Sequence, residues 1–100
     1  MTPTTRAEVL ATTVRIPDHV VFRAFPAEMV VLNLNTGQYH GLNPTGGRML
    51  EVLQQVGTVG GAVEQLEGEF DVDREQLEAD LLVFCRHLAQ RDLIELSPHL

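Results

Sequence analysis

A single cysteine, a few histidines and two glycine pairs are the residues of this 100-residue chain whose types invite a chemical reading. Cys85 and His87 have the types of a nucleophile and its base. They lie two apart in a helical pattern, and residues at that spacing point to different faces. Such a pair also needs hydrogen-bond reach and an orienting third group. The simpler role for Cys85 is that of a small buried hydrophobe. His40 and His87 could meet across a strand and a helix as a pH-sensitive pair. Two imidazoles without a further ligand are too few for a metal site. Gly46-Gly47 and Gly60-Gly61 lack the spacing of a phosphate-binding loop, and the chain has no lysine to accompany one. They are better read as flexibility at turns and helix starts. No catalytic residue, cofactor or metal is expected.

The elements that position these residues follow from periodicity. His19–Arg23 is β-branched and aromatic, after an interruption at Pro17-Asp18, and predicts a strand. Glu28–Leu34 predicts a second, with Val30, Leu32 and Leu34 sharing one face. Asn35-Thr36-Gly37 is a turn, because Asn tolerates and Gly freely enters the left-handed region. Gln38–Leu42 returns as the third strand. Asn43 caps a helix that has Pro44 at its first position and is stopped by Gly57. Thr58 caps a second helix to about Phe70. Asp73 opens the longest, to about Arg91, with Gln76 completing a capping-box-like pair. Leu77, Leu81, Phe84 and Leu88 form its buried stripe. Asp80, Val83 and His87 lie on one flank, and Glu78, Leu82 and Cys85 on the other. Leu93–Leu96 is a short strand or an extended tail. The sum is an α+β fold, winged helix-turn-helix-like, with a three-stranded antiparallel sheet followed by three helices. The expected domain spans 14–96, between a loose N-terminal segment over 1–13 and a tail over 97–100.

Composition narrows the partners. Fourteen acidic residues against seven basic ones leave a net charge of −7. That disfavours nucleic acid, whose binders cluster basic residues, and an anionic membrane surface. The longest helix carries Asp73, Glu75, Glu78 and Asp80 against Arg74, Arg86 and Arg91, so the half that would read bases in a winged-helix DNA-binding regulator is acidic. One thiol excludes an internal disulfide and suits a reducing cytoplasm. No signal-peptide region or membrane-length apolar run occurs.

The string Gly37-Gln38-Tyr39-His40-Gly41-Leu42-Asn43-Pro44-Thr45-Gly46 is similar to the hairpin-into-helix signature of PqqD-like domains, also called RiPP recognition elements. Thr58-Val59 with Glu69–Val72, and Ala79–Phe84 with Leu88 and Leu93-Ile94, match in order and spacing. The Leu-Asn-Pro-Thr-Gly turn most resembles the stand-alone B1 proteins of lasso-peptide pathways. The chain lacks the Pro-Glu pair and the Cys-Asp-Gly usual in PqqD of pyrroloquinoline-quinone synthesis. The resemblance implies non-catalytic recognition of a precursor leader peptide by strand addition, beside a groove walled by the third helix. It implies delivery to a separate leader peptidase (a B2-type cysteine protease), with a macrolactam cyclase acting next. It also implies a preference for leaders with a Tyr-x-x-Pro-x-Leu-like segment. The pairing strand would be Gln38, Tyr39, His40 and Gly41, and the groove flank Asp80, Val83, Phe84 and His87. Proline at Gln38 or His40 is expected to remove a donor from the edge.

Overall fold

A computed structural model describes residues 5–97. A short helix, α1 (Arg6–Leu10), leads into β1 (Thr13–Arg15). Three strands follow, β2 (Val20–Ala24), β3 (Met29–Asn33) and β4 (Tyr39–Leu42). Then come α2 (Pro44–Val56), α3 (Val59–Glu67), α4 (Arg74–Gln90) and a final strand, β5 (Glu95–Ser97). The three-stranded sheet is antiparallel in the order β2-β3-β4, and β1 and β5 form a separate antiparallel pair.

Local chemistry accounts for most boundaries. Gly37 takes φ +75 in the hairpin turn, and the Asn33 side-chain carbonyl accepts the N–H groups of Asn35 and Thr36. Asn43 Oδ1 accepts the Gly46 N–H at 2.8 Å, and Pro44 occupies the first turn of α2, where a missing N–H costs nothing. Gly57 ends α2 with φ +78, a left-handed cap that L side chains resist. Thr58 Oγ1 accepts the Gly61 N–H at the start of α3. Asp73 stands at the start of α4 without a side-chain capping bond, and Gln76 donates to Asp80 instead, so the expected capping box does not form.

The core lies between the sheet's inner face and the helices. Met29 and Val31 of β3 are buried there with Leu50 and Leu53 of α2, Val63 and Leu66 of α3, and Leu77 and Leu81 of α4. Val30, Leu32 and Leu34 share one face as expected, and it is the one turned away from the core. Met29, Val31 and Asn33 point inward, and Leu34 is exposed. Both alternating sets are apolar along most of β3, so period two alone could not choose between them. The glycine pairs also have a packing cause. A Cβ on Gly47 would lie 3.1 Å from that of Met29, and one on Gly60 would lie 2.8 Å from the Leu10 carbonyl oxygen. Gly47 lets α2 settle on β3, and Gly60 lets α1 settle on α3.

α1 lies within the segment 1–13 that was expected to be loose. Thr5 caps it, Val9 and Leu10 pack against the core, and Arg6 reaches Glu78 of α4 at 2.9 Å. Residues 1–4 lie outside the described residues. At the other end Leu93 and Ile94 are buried, and β5 extends through Ser97, which pairs with Thr13. Residues 98–100 of the expected tail lie outside the described residues. No helix is long and apolar enough among the described residues to cross a membrane.

Candidate functional site

Strand β4 is an open edge, and its register decides which backbone groups it offers. The Asn33 N–H donates to the Gln38 carbonyl at 2.9 Å. Antiparallel pairs alternate between bonded and non-bonded, so Val31/His40 and Met29/Leu42 are the next bonded pairs. The N–H and C=O of Tyr39 and Gly41 therefore point away from the sheet. Gln38 and His40 spend theirs internally, the Gln38 N–H on Thr36 Oγ1 at 3.2 Å. Proline at Gln38 or His40 would attack the turn or the sheet itself. Tyr39 and Gly41 are the positions where it would remove an edge donor.

Beside this edge runs a groove of about 420 Å³. Its strand wall is Tyr39, His40, Gly41 and Leu42. Its helix wall is Phe84, His87 and Leu88 of α4 with Arg91, the residue that caps its end. These four fall at the spacing i, i+3, i+4 and i+7, which places them on one helical face. The buried stripe of α4 lies next to it and consists of Leu77, Leu81, Cys85 and Leu88. Cys85 replaces Phe84 in the expected stripe, and Phe84 is only partly buried, bridging core and groove. Burial pushes the Cys85 thiol up to about 12, so it is neutral and enclosed at physiological pH. It has no character of a nucleophile.

Of the residues singled out in the sequence, Tyr39, His40, Gly41, Phe84 and His87 come together around the groove. Three do not join them. Gln38 sits in the turn, Asp80 is exposed and accepts from Gln76 at 2.8 Å, and Val83 is 51% exposed on the far side of Phe84. The sequence reading missed Leu42, Leu88 and Arg91. Arg91 was within reach of it, one turn beyond His87 on the same face.

The groove carries polar side chains among its apolar ones. Its lining contains two imidazoles, a guanidinium and a phenol, with no carboxylate to orient a base. Among the described residues no three His, Cys, Asp or Glu side chains come together to hold a metal ion. On the outer face of the sheet, Val21, Val30 and Leu32 form a shallow apolar surface with Phe25, over which Arg23 stacks at 5.9 Å.

A family model described as Coenzyme PQQ synthesis protein D (PqqD) matches residues 28–94, from the start of β3 through α4 to the buried Leu93-Ile94. A solved structure described as TbiB1 in complex with the TbiA(beta) leader peptide is 37% identical in sequence. The likeness covers 81% of this chain and 94% of that one, with a TM-score of 0.76. A second structure, described as lasso peptide synthetase B1 complexed with the leader peptide, shares the fold at 20% identity and a TM-score of 0.75, covering 83% and 98%. No curated protein sequence matches the chain.

Proposed function

The chain belongs to the PqqD family, and on that premise we propose that it is a non-catalytic module that captures the leader segment of a ribosomally made precursor peptide. The observation that carries this reading is the open edge of β4 beside a groove, in a fold similar to a structure that holds a leader peptide. An extended peptide paired with β4 would satisfy the N–H and C=O groups of Tyr39 and Gly41. Backbone bonds of this kind supply affinity with little dependence on sequence, and side-chain pockets supply the choice of partner. Alternate side chains of the added strand would enter the groove toward Phe84 and Leu88 or rest on the outer face beside Tyr39. The groove residues of this reading are Tyr39, His40, Gly41, Leu42, Phe84, His87, Leu88 and Arg91.

Both neighbouring structures hold leader peptides by their descriptions, and one of them is described as a lasso peptide synthetase B1. On that likeness we assign the partner pathway as lasso-peptide synthesis. The domain would work in the cytoplasm and present the precursor to a separate leader peptidase, with a macrolactam cyclase acting next. The module itself makes and breaks no bond. The winged-helix DNA reading has nothing in its favour here, since Glu75, Glu78 and Asp80 crowd the first half of α4.

Titration of a fluorescent peptide with Tyr, Pro and Leu at Tyr-x-x-Pro-x-Leu spacing, against a scrambled control, tests the proposal. Saturable binding in the micromolar-to-nanomolar range, lost on scrambling, is the expected result. A folded protein that binds neither peptide, or both alike, would overturn it.

A further inference from the structure

The groove gathers basic side chains that lack acidic partners. Four of the seven arginines are held by carboxylates: Arg6 by Glu78 at 2.9 Å, Arg15 by Glu95 at 2.9 Å, Arg48 by Glu69 at 2.7 Å and Arg74 by Glu67 at 3.6 Å. His19 pairs with Asp92 at 2.9 Å, which engages the carboxylate next to Arg91. The other three arginines, Arg23, Arg86 and Arg91, make no ion pair among the described residues, and of these only Arg91 lines the groove, where its Nη1 donates to the His87 carbonyl at 3.2 Å. His87 and His40 flank it in the groove lining, also without a carboxylate. In a chain of net charge −7, one guanidinium and two imidazoles without acidic partners are thus gathered at the Tyr39 end of the groove. The other end of β4 is of opposite sign. Glu28 Oε2 lies 2.8 Å from where a Cβ on Gly41 would sit.

This polarity meets a need that strand addition leaves open. The edge offers the backbone groups of two residues, Tyr39 and Gly41. A peptide that slips by two residues makes the same bonds and keeps the same side chains facing the groove, displaced by about 7 Å. Backbone pairing alone does not fix the register. A charge that finds its partner in one register and loses it in the next does.

We propose that Arg91, with His87 and His40 beside it, is an anchor for one acidic side chain of the bound peptide, and that this contact sets the register of pairing with β4. The inference rests on the leader-binding reading and names the peptide chemistry that the groove selects. Arg91 is the main determinant, because its guanidinium stays charged and presents a planar fork of donors to a carboxylate.

The test uses peptides carrying Tyr-x-x-Pro-x-Leu with alanine elsewhere, in which a single Glu is walked from position to position. Affinities are read by fluorescence anisotropy at low and high salt for the native protein, Arg91→Gln and Arg86→Gln, with folding checked by circular dichroism. Arg86 is an exposed residue of α4 outside the groove. One Glu position is expected to strengthen binding about threefold to tenfold. That gain should vanish in Arg91→Gln, at high salt and when Gln replaces Glu, and should persist in Arg86→Gln. A gain at no position, at every position alike, or undiminished in Arg91→Gln would overturn the anchor. If the alanine parent binds and no Glu improves it, the anchor falls and leader recognition stands. If no peptide binds the folded protein, leader recognition falls and the anchor with it.

Discussion

The two flanks of α4 are built from similar residues and meet opposite fates. On one, Cys85 is wholly enclosed and Glu78 is occupied by Arg6 from α1. On the other, Phe84, His87 and Arg91 face β4 across an open groove. The first flank is closed by the α1 segment and α3. The second has only a four-residue strand opposite, with half of its backbone groups unspent. A binding face in so small a domain is therefore a place where packing stops short, rather than a separate cavity. Substitutions on the closed flank should act on folding, and those on the open flank on peptide affinity.

The largest expected effect sits at the boundary of the two. Leu81→Ala removes a fully buried side chain from the stripe beneath the groove and should cost about 2–5 kcal/mol. Val83→Ala, on the exposed side, should stay within about 0.5 kcal/mol. Urea unfolding of both variants checks the contrast, and equal losses would erase it.

Cys85 gives the closed flank a pH signature. Its thiol is raised by burial to about 12, above its unfolded value near 9. The unfolded chain ionises first, so stability is fully present below about pH 9 and is lost as pH rises toward 12. The slope there should approach about 1.4 kcal/mol per pH unit. Cys85→Ala should flatten that part of the curve of stability against pH, measured by denaturant melts. The open flank contributes nothing comparable over this alkaline range through a buried thiol.

The smallest effect separates the two sheet edges. Tyr39→Pro deletes an outward N–H of β4 and should weaken leader binding about tenfold. Ala24→Pro deletes an outward N–H of β2 and should change affinity less than about twofold. Both variants must melt cooperatively for the comparison to hold. Comparable losses at both edges would move the peptide off β4.

The elements ruled by local chemistry were legible in the sequence. The Asn35–Gly37 turn, the caps at Asn43 and Thr58 and the stop at Gly57 each depend on a few consecutive residues, and the structure places them where those residues indicate. What the sequence left open depends on a distant partner. The stripes Leu77-Leu81-Phe84-Leu88 and Leu77-Leu81-Cys85-Leu88 fit a helical period equally well, and only the position of α3 and β4 distinguishes them. The five-residue α1 is too short to announce itself and is held through Gly60 and Glu78, more than 40 residues away. The groove was partly legible. Its strand and the Phe84–His87 flank could be named from the sequence, but Arg91 lay at the expected helix end, Asp80 one turn before the groove and Val83 further round the helix. Knowing which N–H groups of β4 point outward required the bonded pair at Asn33 and Gln38.

The pairing of Thr13 with Ser97 has a mechanical consequence. The two residues stand at the same end of the β1–β5 ladder, so a pull that separates them loads its bonds one pair after another. A ladder loaded in this way opens like a zipper and yields at lower force than one pulled in shear. Beyond β5 the tension would pass through the buried Leu93 and Ile94 to the Arg91 end of α4, so the wall of the groove would be the next part to give.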